Sequence, residues 1–157
     1  MTRYVAARNI AQRGHWDGTP EQQRDGMICQ VIVYKYLFEK WPDLRQIPDK
    51  PDPVDIYYNL LKIDVKGVRQ QTFTEKHYHM NLAACQAHYK SDTIIFCGYH
   101  LLYHMVEILG WIPKKEICQA KNYRHQGTVE PNGFKVKESC FTVLCRDLLD
   151  IEILKMY

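Results

Sequence analysis

Two short segments of alternating apolar and polar residues, separated by a two-residue turn, place the strongest constraint on the fold. Val54–Tyr58 and Leu61–Arg69 both alternate, and Asn59-Leu60 lies between them. Alternation with a period of two is typical of a strand with one buried face. Asparagine tolerates the left-handed backbone of a tight turn. The sequence therefore predicts a β-hairpin over residues 54–69.

The turn also determines which residues oppose each other across the hairpin. With Asn59-Leu60 as the turn, Tyr58 pairs with Leu61, and counting outward places Asp55 opposite Asp64. Because side chains alternate between the two faces of a strand, each face is predicted separately. The apolar face, expected to pack on a helix, carries Ile56, Tyr58, Leu61, Ile63 and Val65. The polar face carries Asp55, Tyr57, Lys62, Asp64 and Lys66.

Two opposed carboxylates on the polar face call for a compensating positive charge, because like charges directly opposite each other destabilise a sheet. A divalent cation would supply that charge, and Mg²⁺ or Mn²⁺ favours oxygen ligands and retains several waters. On the same predicted face, the Lys66 ammonium could orient a water or stabilise charge on a phosphoryl group. The alternative is a solvated hairpin edge with ordinary surface charges, because Asp-x-Lys alone is a common tripeptide.

A helix is predicted before the hairpin, over residues 19–41. Thr19-Pro20-Glu21 supplies an N-cap, a proline in the first turn and an early acid. Four prolines between residues 42 and 53 then end the helix and predict an irregular loop. The hairpin is therefore expected to follow directly on one long helix and its connection.

The remaining elements indicate a mixed fold. Patterns predict a helix over 79–90, strands over 93–99 and 105–112, a helix from Pro113, a turn at Pro131-Asn132-Gly133, a strand within 134–144 and a short helix within 146–154. Strands mixed with helices predict an α/β or α+β fold, with a central mixed β-sheet flanked by helices. The length fits a single domain, 1–157, with its core at about 20–150.

Composition narrows the function classes. No apolar run approaches the ~20 residues that span a bilayer, and the N-terminal segment lacks the apolar centre of a signal peptide. We therefore expect no membrane partner and an intracellular location. Six cysteines without a C-x-x-C pair indicate reduced thiols in or near the core. A net charge of +3 permits a polyanionic partner but does not require one.

The segment PDPVDIYYNLLKIDVKG resembles the core signature of the PD-(D/E)XK nuclease superfamily. In that signature an acid at the start of one strand is followed, one turn later, by an acid-x-Lys strand. Asp55 matches the first acid, and Asp64 and Lys66 match the acid-x-Lys. The resemblance implies a restriction-endonuclease-like core and Mg²⁺-dependent (or Mn²⁺-dependent) phosphodiester hydrolysis. It also implies catalytic roles for Asp55, Asp64 and Lys66, and favours DNA over RNA as the substrate.

The chain also resembles small phage and bacterial members of this superfamily in its later pattern of strands and turns. That likeness suits a phage-encoded protein acting in the host cell. Small nucleases of this type often form homodimers to cut both strands, although the sequence does not indicate an interface.

The upstream segment GMICQVIVYKYL resembles the first helix of the superfamily, which commonly reads G-x-x-x-E, but Gln30 stands at the acid position. An amide oxygen can bind Mg²⁺ but adds no charge. The expected metal ligands are Asp55, Asp64, the Val65 backbone carbonyl and Gln30. Glu21 is a second candidate, although nine residues place it about 13 Å from Gln30 along the helix axis.

The glutamine keeps a non-catalytic alternative open. A nuclease fold with a degenerate metal site could serve as a nucleic-acid-binding protein or as a factor in phage and host interaction. A third alternative is a His-based nuclease or zinc site built from His77, His79 and His88. These histidines lack a nearby cysteine pair and the ββα hairpin that such a site needs.

Nucleic-acid contacts are predicted outside the hairpin's acidic pair. Arg69, Gln70 and Gln71 follow the acid-x-Lys strand and would lie near the cut. Basic residues of the C-terminal third could neutralise phosphates. The predicted contacts are Arg69, Gln70, Gln71, Lys114, Lys115 and Arg124.

Overall fold

The computed structural model of the protein describes residues 19–42, 45–46, 54–58, 60–131 and 133–156. Its helices and strands are α1 (Pro20–Lys40), β1 (Arg45–Gln46), β2 (Ile56–Tyr58), β3 (Leu61–Gln70), β4 (His79–Ala83), β5 (Thr93–His100), β6 (Met105–Pro113), α2 (Lys114–Ile117), β7 (Tyr123–Arg124) and β8 (Cys140–Leu144). Four 3-10 segments cover Ala84–Gln86, Ala120–Asn122, Cys145–Asp147 and Ile151–Met156.

Helix α1 begins with a capping box. The Thr19 hydroxyl accepts a hydrogen bond from the Gln22 backbone N–H at 3.3 Å, and the Gln22 side chain accepts one from the Thr19 backbone N–H at 2.8 Å. Pro20 occupies the first helical position, where no backbone donor is needed. These local contacts confirm the predicted helix at 19–41 and make it a rigid support for the sheet.

The main sheet has five strands in the order β1-β2-β3-β5-β6. Strands β3 and β5 are parallel, and the other neighbours are antiparallel, so the sheet is mixed as predicted. In the hairpin, Tyr58 pairs with Leu61 and Ile56 with Ile63, which confirms the register derived from the turn. Asn59 of that turn lies outside the described residues. The loop before the hairpin also contains the unpredicted strand β1.

The predicted apolar face of the hairpin packs on α1. Ile56, Ile63 and Val65 share one buried core with helix residues that include Cys29 and Leu37. The approach is close at Gly67, where a Cβ would lie 2.9 Å from the Cys29 sulfur. The helix therefore covers one side of β3 and leaves the side of Asp64 and Lys66 for other elements.

A second, three-stranded sheet covers part of that other side, with the strand order β4-β8-β7. A second core forms between it and the main sheet, and its fully buried members include Leu82, Ile94 and Phe96. The fold is therefore a mixed α+β arrangement in which α1 covers one face of the main sheet. A small sheet and the short helix α2 pack on the other face.

The predicted helix over 79–90 is wrong. Residues 79–83 form β4, and a 3-10 segment follows. Met80 and Leu82 are buried while His79 and Asn81 are exposed, which is the period of a strand with one buried face. The alanines that favour a helix are overridden because β8, about 60 residues later, pairs with this segment.

The other predicted elements are present, with bounds that differ from the prediction. Strands β5 and β6 confirm the predicted strands at 93–99 and 105–112. The helix after Pro113 has only four residues, and the strand within 134–144 covers only 140–144. The C-terminal helix is of the 3-10 type. All six cysteines are free thiols, and none is exposed. None of the described helices combines the length and apolar character needed to cross a bilayer.

Candidate functional site

Asp55 lies just before β2, where that strand stops covering β3. Its backbone N–H donates to the Ile63 carbonyl at 2.9 Å, and its Oδ2 accepts a hydrogen bond from the Val65 N–H at 2.8 Å. The carboxyl group thus accepts the hydrogen bond that a backbone carbonyl of a neighbouring strand would otherwise accept. It does so at the edge of β3 that β2 does not cover. This hydrogen bond fixes the position of the carboxyl group relative to β3.

The Val65 carbonyl is directed to the same open edge. The N–H and C=O of one strand residue point to the same side of the strand, and the Val65 N–H points to Asp55. The Val65 side chain meanwhile belongs to the core beneath α1. The backbone oxygen predicted as a metal ligand therefore lies on the edge of β3 that Asp55 occupies.

Asp64 and Lys66 form a largely buried ion pair on the other face of β3 from α1. The Lys66 Nζ lies 2.9 Å from the Asp64 Oδ2, and the two side chains are 20% and 5% exposed. Residues two apart on a strand share one face, and α1 packs on the opposite face. The predicted polar face therefore exists, with its lysine bound to its acid.

The two acids interact strongly. Burial raises the pKa of Asp55 to about 7, and the negative charge of Asp64 and a hydrogen bond between the two carboxyl groups add to the increase. The Val65 N–H and the positive charge of Lys66 lower the pKa but do not cancel the burial effect. Below neutral pH, Asp55 therefore carries a proton beside Asp64.

The negative charge of the two acids, which a cation was predicted to offset, is thus already balanced in part. Lys66 neutralises Asp64, and a proton neutralises Asp55 below neutral pH. The donor set of two carboxylates and one backbone carbonyl consists of oxygen atoms, which suits Mg²⁺ or Mn²⁺. A cation binding here would replace that proton and compete with the Lys66 ammonium for Asp64.

The site offers no complete cage of protein ligands. Within the described ranges, no group of three or more His, Cys, Asp or Glu side chains is arranged to hold a metal ion. Mg²⁺ commonly binds through one or two carboxylates and completes its shell with waters and phosphate oxygens. His77 pairs with Glu75 at 3.3 Å and is well exposed, so a histidine zinc site gains no support in this part of the chain.

Gln30 lies on α1 and is buried. That helix packs on the apolar face of β3, opposite the side chains of Asp64 and Lys66. The glutamine as a metal ligand stays a prediction, and Glu21 lies exposed in the first turn of the same helix.

Asp25 is buried on α1 and binds Arg69. This acid was not predicted from the sequence. The Arg69 Nε lies 2.8 Å from the Asp25 Oδ2, and Arg24 binds the other oxygen of Asp25 at 3.1 Å. The signal was present, because Asp25 precedes Cys29 and Val33 in a row with a spacing of four residues. Arg69, predicted to contact nucleic acid, is thus engaged in holding β3 to the helix.

The other predicted nucleic-acid contacts differ in position. Gln70 accepts a hydrogen bond from the Thr74 hydroxyl at 2.5 Å, and Gln71 is exposed. Arg124 pairs with Glu130 at 3.1 Å and donates to two backbone carbonyls. Lys115 is exposed. Their roles as nucleic-acid contacts stay predictions.

Lys114 differs from these residues because it is buried. It was predicted to contact nucleic acid, and its side chain is only 7% exposed. Asp64, Asp92 and Lys66 all lie within electrostatic reach of its ammonium. The burial of Lys114 was not predicted from the sequence, because it depends on contacts between distant segments, and its role as a nucleic-acid contact stays a prediction.

No protein-family model matches the chain, and no curated protein matches it at a significant level. The homodimer, the intracellular location and the phage origin stay predictions.

Proposed function

We propose that the protein is a metal-dependent nuclease that hydrolyses phosphodiester bonds of nucleic acid, with DNA as the favoured substrate. One observation carries this proposal. Asp55 and Asp64 interact directly on the polar side of a hairpin, and Lys66 lies 2.9 Å from Asp64. This is the residue set that the PD-(D/E)XK resemblance implies.

Each residue has a separate role in the proposed reaction. Asp55, Asp64 and the Val65 carbonyl hold Mg²⁺ or Mn²⁺. When bound, the cation supplies positive charge that offsets the charge developing on the phosphate. Lys66 donates hydrogen bonds to the attacking water or to a phosphate oxygen. Its present partner is Asp64, so its ammonium is held beside the group that binds the cation.

The fold supports a restriction-endonuclease-like core. The acid-x-Lys residues lie on β3, in the middle of a mixed sheet, and α1 packs behind them. On the other face a small sheet takes the place of the helix expected there. The likeness is therefore strongest for α1, the hairpin and the parallel neighbour β5.

Cleavage of supercoiled plasmid DNA with Mg²⁺ or Mn²⁺ tests this function. We expect nicked or linear products with the wild type and none with Asp64→Asn or Lys66→Met. Lys76→Met, an exposed lysine away from β3, serves as the control and should cut like the wild type. Products that persist in both active-site variants would overturn the assignment.

A second candidate function is nucleic-acid binding without turnover. Two observations favour it: Lys66 and the Asp55 proton balance the acids without a cation, and Gln30 replaces the usual helix acid. Metal-free DNA binding combined with no cleavage under any divalent ion selects this candidate. Cleavage that depends on Asp64 eliminates it.

A further inference from the structure

The register of the main sheet brings Lys114 to the face that carries the acidic pair. Its backbone N–H donates to the Asp92 carbonyl, and the Asp92 N–H donates to the Lys62 carbonyl, both at 2.8 Å. Lys62, Asp92 and Lys114 therefore form one row across the strands. Lys62 shares its face with Asp64 because the two are two residues apart. Two strand spacings place the backbones of Lys62 and Lys114 roughly 10 Å apart.

The ammonium of Lys114 is buried with little compensation. It donates to the Tyr89 carbonyl and lies 6.0 Å from the centre of the Tyr89 ring. Among the residues that the structure describes, no carboxylate lies within 4.0 Å of it. A buried cation is costly unless an anion accompanies it. This side chain therefore has positive charge and hydrogen-bond donors left for an anionic ligand.

Ser91 is a second buried polar residue, and it lies in the segment whose backbone Lys114 contacts. Lys114 contacts both Tyr89 and Asp92 through their carbonyls, and Ser91 lies between these two residues in the chain. The Ser91 side chain is only 5% exposed, and its hydroxyl has no hydrogen-bond partner in the described part of the chain. A buried hydroxyl without a protein partner keeps its donor free for a hydrogen bond to a ligand.

The charges around Lys114 are consistent with an anionic ligand. Burial lowers the pKa of its ammonium, and Lys66 lowers it further, while Cys118, Asp64 and Asp92 oppose the decrease. Two lysines that repel each other across a buried face are stabilised by an anion bound between or beside them.

We propose that Lys114, with the Ser91 hydroxyl, forms a phosphate subsite beside Asp55, Asp64 and Lys66. This inference rests on the proposed nuclease function and specifies its substrate contacts: Lys66 serves the phosphate that is cut, and Lys114 holds a neighbouring phosphate of the same strand. The ligand is an internal phosphodiester, and a terminal phosphate is the other source of the same chemistry.

Metal-free binding tests the subsite without requiring turnover. Calorimetry in EDTA measures the affinity of the full chain for an eight-nucleotide single strand, with and without a 5′-phosphate. We expect Lys114→Met to weaken binding about tenfold, since a hydrogen bond to a charged group contributes on that scale. Lys114→Arg should stay within about threefold of the wild type, and Ser91→Ala should lose about threefold.

Lys115→Met is the matched control, because Lys115 is the adjacent lysine and is exposed. Binding by Lys114→Met that equals the wild type, or an equal loss in Lys115→Met, overturns the subsite. Equal affinity with and without the 5′-phosphate supports the internal phosphodiester. Binding that requires the 5′-phosphate overturns that assignment.

A measurement on the wild type covers the case in which Lys114→Met does not fold. At constant ionic strength, low-millimolar inorganic phosphate should raise the melting temperature with a saturating dependence on its concentration, unlike the general stabilisation by phosphate salts at high concentration. The absence of a saturating rise overturns the subsite. The two proposals fail separately. Phosphate-dependent binding without cleavage removes only the nuclease function, and cleavage with unchanged Lys114→Met binding removes only the subsite.

Discussion

The Asp55 carboxyl group accepts a hydrogen bond from the Val65 backbone N–H at 2.8 Å, on the edge of β3 where β2 no longer covers it. One strand thus positions both a side-chain acid and a backbone carbonyl at one place. Asp64, the next residue toward the turn, adds its carboxyl group and a lysine partner.

Folding stability should fall between about pH 4 and pH 7 because of Asp55. Its pKa rises from 3.8 to about 7 on folding, so the folded state holds a proton that the unfolded state releases. The stabilisation is complete below the unfolded pKa and is lost as the pH rises through 7. At about 1.4 kcal/mol per pKa unit, the rise from 3.8 to about 7 corresponds to a loss of about 4 kcal/mol.

Urea denaturation at several pH values measures this loss. Asp55→Asn keeps an acceptor for the Val65 N–H but does not titrate, so its free energy of unfolding should vary less over the same range. Parallel curves for the wild type and Asp55→Asn would contradict the raised pKa.

Mg²⁺ or Mn²⁺ binding should release a proton below neutral pH. A cation ligated by Asp55 requires the ionised carboxylate, whose pKa is about 7 in the folded state. The metal affinity should therefore increase between about pH 5.5 and 7 and then level off. Calorimetry in buffers of different ionisation enthalpy counts the released protons. A flat affinity over this range argues against Asp55 as a ligand.

Lys66→Met should destabilise the protein by about 3 kcal/mol, because it leaves the Asp64 carboxylate buried without its cation. Asp64→Asn in the same chain should recover most of this loss. A double-mutant cycle of unfolding free energies measures the coupling, expected at about 2 kcal/mol. A coupling near zero would mean that the ion pair contributes little to the fold.

Gly67→Ala should cost about 1–3 kcal/mol of unfolding free energy, because the new Cβ would lie 2.9 Å from the Cys29 sulfur. Gly26→Ala on the facing helix is the matched control. Its Cβ meets nothing within 4 Å, so it should be neutral or stabilise by up to about 1 kcal/mol. Thermal denaturation compares the two, and equal melting temperatures would contradict the close approach of α1 to β3.

Features that depend on neighbouring residues could be predicted from the sequence alone. A capping residue and a proline predicted the start of α1, and a two-residue turn with alternation on both sides predicted the hairpin register. These signals lie within a few residues of what they control. They also predicted that Asp55 and Asp64 lie close together, and the two carboxyl groups interact.

Features that depend on distant segments could not be predicted from the sequence. Pairing with β8 made a strand of residues 79–83, and packing on the main sheet buried Lys114. The raised pKa of Asp55 likewise depends on burial, with the charge of Asp64 adding to it. The burial of a side chain and the electrostatic potential around it depend on all neighbouring groups in space. A local sequence pattern identifies only the neighbours that are close in the chain.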